Sequence, residues 1–479
     1  MKGNQVFSNF IWRFAERCGA QVVGLAVSLV LARLLQPDDY GMIALVTVFI
    51  SILNVFVDSG FGNALIQKKE ADDLDFSSVF YFNLLWCCCL YFVLFACAPL
   101  VSLFYQKPML TAVVRVLGIT ILVSGLKNVQ QAYVSRHMMF KRFFFATLGG
   151  TVGAAVVGIT MAYLGFGIWA LVAQQIFNTS VDALILWFTV PWRPQKHFSF
   201  ERLKELFGYG WKLLVSALLD TVYTNIRSLV IGKIYTASSL AFYNQGEKLP
   251  NAVVGNINNS IDSVLLPAMS NEQANIGRVR EMTRRAIKTS TYIIAPLMMG
   301  LAATAEGFVS LILTDKWLPC VFFLRIFCCT YIFYPIHTAN LNAIKAVGRS
   351  DLFLKLEVWK KAVGMILLLS TIWISVEAMA YSCLIGSFFS QLINSWPNKK
   401  LLKYSYVEQL KDILPGILLA VFMGVCIYPI TFLGLHRVLI LMIQIMAGAG
   451  IYILGSLVFK FDSFEYLTGV LKSMFFRRE

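Results

Sequence analysis

Charged residues are scarce in this chain: Asp, Glu, Lys and Arg make up only 14% of its 479 residues, and there are four histidines. Soluble globular proteins carry about 25% charged residues. Apolar residues fill the deficit, since they account for 58% of the chain and raise the mean hydropathy to +0.69. A soluble fold has no interior large enough for so much apolar surface. The composition therefore predicts a polytopic membrane protein.

Several catalytic and metal-binding motifs are also missing. The chain has no GxxxxGKS or GxxxxGKT loop, no HExxH and no CxxC, which argues against P-loop nucleotide hydrolysis and against zinc or cysteine metal centres. The ten cysteines, such as those at 87–89, lie largely in apolar runs and are interpreted as small buried hydrophobes. We expect no enzymatic activity, no cofactor and no bound metal, with the driving energy coming from substrate or ion gradients.

Long apolar runs dominate what is present, and each has about the 20 residues that a membrane-spanning helix needs. The first run is interpreted as a retained helix, since no small-residue cleavage site follows it. Fourteen helices are predicted, at 9–34, 40–64, 78–103, 109–133, 143–164, 168–190, 207–233, 249–269, 289–313, 320–345, 352–375, 377–397, 412–432 and 438–459. We expect an all-α fold with an N-terminal lobe of six helices (1–200), a C-terminal lobe of six related as a parallel repeat (201–400), and a terminal pair with a tail (401–479). The loop at 270–288 is a candidate amphipathic surface helix.

Basic residues set the predicted orientation. About 28 of the 41 Lys and Arg fall in the termini and the even-numbered connections, and about five fall in the odd-numbered ones. The positive-inside rule therefore places both termini in the cytoplasm. It also explains the net charge of +15 without a nucleic-acid partner.

Polar residues form stripes along several predicted helices. Steps of three or four residues place Arg13, Arg17 and Gln21 on one face of the first helix, and Lys212, Asp220, Tyr223 and Arg227 on one face of the seventh. Further polar or charged residues lie at Asp58, Lys127, Asn258, Asp262 and Glu306. Because charge inside a membrane is costly, these stripes predict the walls of a hydrated cleft. Two alternatives stay open: Arg13 and Arg17 reach the headgroups from near a helix end, and Asp220 and Arg227 pair with other helices.

Five motifs carry a resemblance to a known family. They are LARLLQPDDYGMIAL at 31–45, DSGFGNALIQ at 58–67, ASSLAFYNQGEKLP at 237–250, VLLPAMSN at 264–271 and AIKAVGRSD at 343–351. In this order they resemble the Wzx-like flippases of the multidrug/oligosaccharidyl-lipid/polysaccharide superfamily, in particular the WzxC and teichuronic-acid exporter branch. The resemblance implies two lobes forming a V around a central cavity. It also implies alternating access that carries an undecaprenyl-pyrophosphate-linked oligosaccharide to the outer leaflet for O-antigen, capsule or exopolysaccharide synthesis.

The implied substrate assigns roles to the polar stripes. The predicted pyrophosphate- and glycan-binding residues are Arg13, Arg17, Gln21, Lys127, Lys212, Tyr223, Arg227 and Asn258. The candidates for coupling to a H⁺ or Na⁺ gradient are Asp58, Asp220, Asp262 and Glu306. Related proteins often have aspartate where this chain has Arg227, which makes the cavity more basic. The expected partners are a polyprenyl-linked oligosaccharide, membrane lipid, a polysaccharide polymerase and other assembly proteins.

Two other functions stay open at this point. A cation or drug antiporter of the same superfamily would need an acidic cleft, whereas the intramembrane residues are slightly more basic than acidic. A membrane glycan polymerase would need a large outer loop with catalytic groups, and the predicted outer loops are short.

Overall fold

The computed structural model describes residues 3–58, 60–68 and 71–476, with side chains from Gly19 to Gly469 apart from a few positions. Within this part of the chain all regular structure is helical. The helices are α1 (Gly3–Leu34), α2 (Pro37–Asp58), α3 (Phe61–Gln67), α4 (Asp73–Tyr105), α5 (Met109–Leu117), α6 (Ile119–Arg136), α7 (Phe140–Tyr163), α8 (Ile168–Thr189), α9 (Phe200–Ile234), α10 (Ala237–Asn271), α11 (Ile276–Ile312), α12 (Cys320–Tyr331), α13 (Tyr334–Ala346), α14 (Ser350–Thr371), α15 (Val376–Leu401), α16 (Tyr406–Ile427), α17 (Arg437–Val458) and α18 (Asp462–Phe476). Short 3₁₀ turns lie at Asp315–Trp317 and Tyr428–Phe432.

The predicted all-α membrane fold is confirmed. In the part of the chain that the structure describes, eleven helical segments are long and apolar enough to cross a bilayer. Three predicted spans fall on α1, α10 and α14, which are not among these eleven. Helix α10 carries several Asn residues, and helix α14 carries Lys and Glu. These polar residues lower the hydropathy of both helices. The total of fourteen spans stays a prediction.

Two of the predicted spans are interrupted, and one predicted surface helix is wrong. The fourth span is divided into α5 and α6 at Gly118, and the tenth into α12 and α13 at Ile332 and Phe333. Residues 276–288 do not form a separate amphipathic helix, because they are the first turns of the 37-residue helix α11. The helix is continuous through residues 276–288. At its start, the Asn275 side chain caps the helix by accepting a hydrogen bond from the amide of Arg278.

Side chains fix several helix starts at the basic ends of the spans. Asp72 accepts from the amide of Asp75, and the Asp75 carboxylate accepts from the amide of Asp72, which is a capping box at the start of α4. Ser405 and Glu408 form the same arrangement at the start of α16. These caps satisfy amide groups that would otherwise have no partner at a helix end. They define where the chain enters each span.

The helices form two compact units, Met1–Ala241 and Phe242–Glu479. In the first unit, α7 packs on α1 and α8, and α9 packs along α2, α3 and α4. Just after α9, the first residue of α10 comes close to α2: a Cβ atom on Gly41 would lie 1.8 Å from the carbonyl oxygen of Ala237, so only glycine fits there. Helix α9 thus belongs to the first compact unit. The predicted domain boundaries at 200 and 400 stay a prediction.

In the second unit, α16 lies beside α11 and is tied to it by ion pairs. Arg280 pairs with Glu408 at 3.4 Å, and Arg284 makes two 2.7 Å hydrogen bonds to Asp412. One turn further, Lys288 pairs with Asp462 at the start of α18 at 2.8 Å. The three basic residues are spaced by four, so they form a row along one face of α11. This row joins the start of α16 and the start of α18 to the same end of α11.

Candidate substrate and ion site

An ion pair inside the first unit holds one of the predicted substrate-binding residues. The Lys127 ammonium on α6 lies 2.6 Å from a carboxylate oxygen of Asp182 on α8, and the two side chains are only 18% and 13% exposed. The other Asp182 oxygen is buried with no hydrogen-bond partner in the described structure. Removing one member of a buried pair leaves an uncompensated charge. Lys127 is therefore engaged by the protein, and Asp182, which sequence reasoning left out of the site, belongs beside it.

The end of α2 lies next to this pair. The Asn128 side chain on α6 donates to the carbonyl of Val57 at 3.0 Å, one residue before Asp58. The charge of Lys127 also acts on the Asp58 carboxylate through space. One turn earlier, the Asn54 side-chain oxygen is buried without a partner in the described part of the chain. Lys127 therefore forms its direct ion pair with Asp182, and its charge reaches the Asp58 carboxylate through space only.

Helix α9 carries four predicted site residues on a span with little protein around it. Only 6% of its most apolar stretch is buried inside the protein, the lowest share among the eleven segments. Lys212 and Asp220 are exposed, while Tyr223 and Arg227 are half-buried. Tyr223 and Arg227 therefore lie at the more enclosed end of the stripe, and its role as the wall of a hydrated cleft stays a prediction.

Asn258 on α10 is a predicted binding residue whose side chain is 3% exposed. Both its amide nitrogen and its amide oxygen are buried and lack a hydrogen-bond partner among the described residues. Buried polar atoms in folded proteins nearly always have a partner, and each unpaired group costs about 1–3 kcal/mol. Asp262, one turn later on the same face, is half-buried. The amide is enclosed by the protein in this conformation, so a ligand hydroxyl or phosphate could pair with it only after neighbouring side chains move.

The remaining predicted residues are distributed over other surroundings. Glu306 on α11 accepts a 2.9 Å hydrogen bond from Arg325 on α12, which also lies over the Tyr428 ring at 5.7 Å. Gln21 is exposed on α1. The side chains of Arg13 and Arg17 lie outside the described residues. The structure thus gives Lys127 and Glu306 ion-pair partners outside the predicted set, Asp182 and Arg325.

Sequence reasoning missed most of a buried amide network in the second unit. The Asn340 side chain on α13 donates to the Gln409 side-chain oxygen on α16 at 2.8 Å and accepts from Asn398 on α15 at 2.6 Å. Ser395 donates to the same Gln409 oxygen at 3.0 Å. All four side chains are fully buried. Asn340 lies in the tenth predicted span, whereas Asn398 and Gln409 lie just outside the twelfth and thirteenth, so the sequence does not indicate that these amides meet.

A second network closes the basic end of the first unit. The Lys68 ammonium pairs with buried Asp75 at 3.0 Å and with exposed Glu205 on α9 at 3.1 Å. Arg136 donates to the carbonyls of Leu65 and Lys68 at 2.6 Å each. Burial works against the Lys68 charge, but the bonds to the two carboxylates prevail and raise its pKa. This network joins the end of α3, the start of α4 and the first turns of α9.

Comparisons with known proteins agree with this architecture. The family described as "Polysaccharide biosynthesis protein" matches residues 30–322. The teichuronic acid biosynthesis protein TuaB of Bacillus subtilis (strain 168) is 25% identical over 423 residues, 85% of either chain. The lipopolysaccharide biosynthesis protein WzxC of Escherichia coli (strain K12) is 23% identical, over 71% of this chain and 69% of WzxC. The lipid II flippase MurJ, in an inward closed conformation, has a similar fold (TM-score 0.77, 16% identity, 94% of this chain and 98% of that chain).

Proposed function

Because the chain belongs to the family of polysaccharide biosynthesis proteins, we propose that it moves a polyprenyl-pyrophosphate-linked oligosaccharide across a bacterial inner membrane, from the cytoplasmic to the outer leaflet. The fold that it shares with a lipid II flippase supports transport rather than catalysis. The described loops between helices are short, which leaves no separate domain for a glycan polymerase. The proposal includes both termini in the cytoplasm and action beside a polysaccharide polymerase.

The observation that carries the proposal is the unpartnered amide of Asn258. A lipid-linked glycan presents many hydroxyls and an anionic pyrophosphate, all of which need hydrogen-bond partners away from bulk water. Asn258 offers one donor and one acceptor that no described residue uses. The polar face of α9, with Tyr223 and Arg227, adds a hydroxyl and a guanidinium that suits a phosphate. Such groups lower the cost of taking the headgroup through the membrane while the polyprenyl tail stays in lipid.

The Lys127, Asp182 and Asp58 cluster supports a proposal for energy coupling. Lys127 is paired with Asp182, so an ionised Asp58 has no direct partner in this pair, and a proton or Na⁺ at Asp58 would neutralise it. In the described residues no three His, Cys, Asp or Glu side chains are grouped as a metal site, so a bound ion would be held by two carboxylates with amide oxygens such as that of Asn54. Binding and release of this cation is the proposed link to an ion gradient. The carboxylates of Asp220 and Asp262 stay candidates for ion coupling beside it.

The test measures translocation in vesicles that contain the purified protein and a fluorescent polyprenyl-pyrophosphate oligosaccharide. Accessibility of the glycan to an added glycosidase reports its leaflet. We expect Asn258→Ala to slow translocation at least tenfold. Asn256→Ala is the matched control, because Asn256 lies two residues away on α10, is exposed and bonds to the carbonyl of Ala252 in its own helix. Equal rates for the two variants would contradict the binding role of Asn258.

A genetic experiment tests the function as a whole. Deletion of the gene should cause lipid-linked oligosaccharide to accumulate with its glycan on the cytoplasmic side of the membrane. If the glycan still reached the outer leaflet at the normal rate, the protein would not be the transporter for that lipid. Expulsion of organic cations from cells by the same protein, with no effect on glycan export, would favour the antiporter function instead.

A further inference from the structure

Two adjoining cavities lie in the second unit, away from Asn258 and Asp262. One has a volume of about 250 Å³ and the other about 390 Å³. They share Lys288, Asp462 and Ser463, so the ion pair between Lys288 and Asp462 separates them. Their walls come from α11, from the first turns of α16 and from the start of α18. Each cavity can hold a group of the size of a lipid headgroup.

The lining of these cavities has a surplus of positive charge. The five basic residues are Arg284, Arg285, Lys288, Lys411 and Lys460, against the three acidic residues Glu281, Asp412 and Asp462. Arg284 and Lys288 are paired with Asp412 and Asp462. Lys411 and Lys460 are exposed and have no carboxylate partner among the described side chains. Their ammonium groups are therefore free to bind an anion.

The depth of the cavities follows from helix lengths. Helix α11 has 37 residues, about 55 Å at 1.5 Å per residue, whereas the hydrocarbon core is about 30 Å thick. The cavity residues on α11 lie in its first turns, next to the start of α16 and just past the end of α17. They lie therefore at the level of the phospholipid headgroups. The Arg285 guanidinium over the Tyr466 ring of α18, at 5.0 Å, fits this interfacial position.

An apolar surface continues from the cavities toward the membrane centre. On α16, Leu414 and Leu418 are 49% and 57% exposed, and on α17, Leu454 and Leu457 are 63% and 54% exposed. These positions lie within one to three turns of Lys411 and Lys460. A molecule with a phosphate in the cavities can therefore lay hydrocarbon chains along α16 and α17. A free anion would use only the polar part of this surface.

We propose that the cavities between α11, α16 and α18 bind the phosphodiester headgroup of an anionic phospholipid, with Lys411 and Lys460 as the residues that contact the phosphate. Charge-assisted hydrogen bonds from ammonium groups to phosphate oxygens supply the selectivity. The exposed leucines of α16 and α17 receive the acyl chains. Basic pockets between helices at a membrane surface are suited to such headgroups. This site is separate from the proposed oligosaccharide site and does not depend on it.

The experiment titrates the full-length protein in neutral detergent with dioctanoyl phosphatidylglycerol or dioctanoyl phosphatidylcholine, and native mass spectrometry counts the bound lipids. The wild type should bind phosphatidylglycerol at least tenfold more tightly. The variant K411Q/K460Q should lose at least tenfold in affinity for phosphatidylglycerol only. The control K399Q/K400Q removes the same charge from the exposed last turn of α15, outside the cavities, and should change the affinity less than twofold.

Three results of the lipid titrations would overturn the proposal. They are equal binding of the two lipids by the wild type, an unchanged affinity in K411Q/K460Q, and an equal loss in K399Q/K400Q, which would indicate a general surface charge effect. Inorganic phosphate supplies the charge without the chains and should not displace the lipid at equal concentration. Full displacement by phosphate would indicate an ion site instead of a lipid site. The wild-type lipid preference can be measured even if a variant fails to fold.

Discussion

Replacing Lys127 by methionine tests whether the intramembrane ion pair is structural, functional or both. At the 2.6 Å separation from Asp182 and an effective dielectric of about 20, the Coulomb attraction is roughly 6 kcal/mol. Desolvation of both groups cancels much of this attraction. The single variants Lys127→Met and Asp182→Asn should therefore each lose about 3 kcal/mol of unfolding free energy. The double variant should recover most of that loss, because neither charge is then left alone.

The assay is denaturant unfolding in mixed micelles, followed by tryptophan fluorescence, for the wild type, both single variants and the double variant. The same cycle on Glu357 and Lys360 is the control, since this pair lies three residues apart on one helix and should give a coupling of about 0.5 kcal/mol or less. Purely additive losses at Lys127 and Asp182 would refute the energetic argument. Translocation by the stable double variant then tests coupling: we expect it to no longer respond to an imposed proton or Na⁺ gradient. A full response would contradict the proposed role of the cluster.

Two further predictions concern stability. Asn340→Ala removes the side-chain hydrogen bonds that join Asn340 to buried Gln409 and Asn398, so it should cost about 1–3 kcal/mol of unfolding free energy at about 0.5–1.5 kcal/mol per bond. A loss below 1 kcal/mol in the same unfolding assay would contradict this. Asp75→Asn, at the fully buried member of the pair with Lys68, should lower the unfolding free energy by about 3 kcal/mol. Glu205→Gln, at the exposed partner of the same lysine, should cost less than about 1 kcal/mol, and equal losses would refute the distinction.

The helices could be predicted from the sequence because a span is a local property. About 20 apolar residues in a row specify a membrane helix whatever its neighbours are, and the all-α fold and the family resemblance are confirmed. The interruption at Gly118 was missed, since the apolar run continues through it. The sequence predicts that the ninth span begins at residue 289, because hydropathy falls at the membrane surface. Helix α11 continues through this point and begins at Ile276.

The candidate site could be predicted only in part, because helical spacing gives a face but not a partner. The four predicted residues of α9 do lie on one continuous helix, but their binding role stays a prediction. The partners of Lys127 and Glu306 lie 55 and 19 residues away in the sequence, and no local pattern indicates which of several acidic or basic residues each one meets. The unpaired state of Asn258 depends on every side chain packed around it. These ion-pair partners and the unpaired amide depend on how distant parts of the chain pack together, which no local sequence pattern specifies.

The row of ion pairs along α11 also limits how α16 can slide. Arg280 and Arg284 bind Glu408 and Asp412, and both sets are spaced by four residues on helices that run in the same direction. A translation of one turn, about 5.4 Å, would place Arg284 opposite Glu408 and Lys288 opposite Asp412, so two pairs would form again. Displacements of half a turn would form none. The observed register is the one in which Lys288 keeps its bond to Asp462 on α18, so the third pair of the row fixes which turn of α11 faces α16.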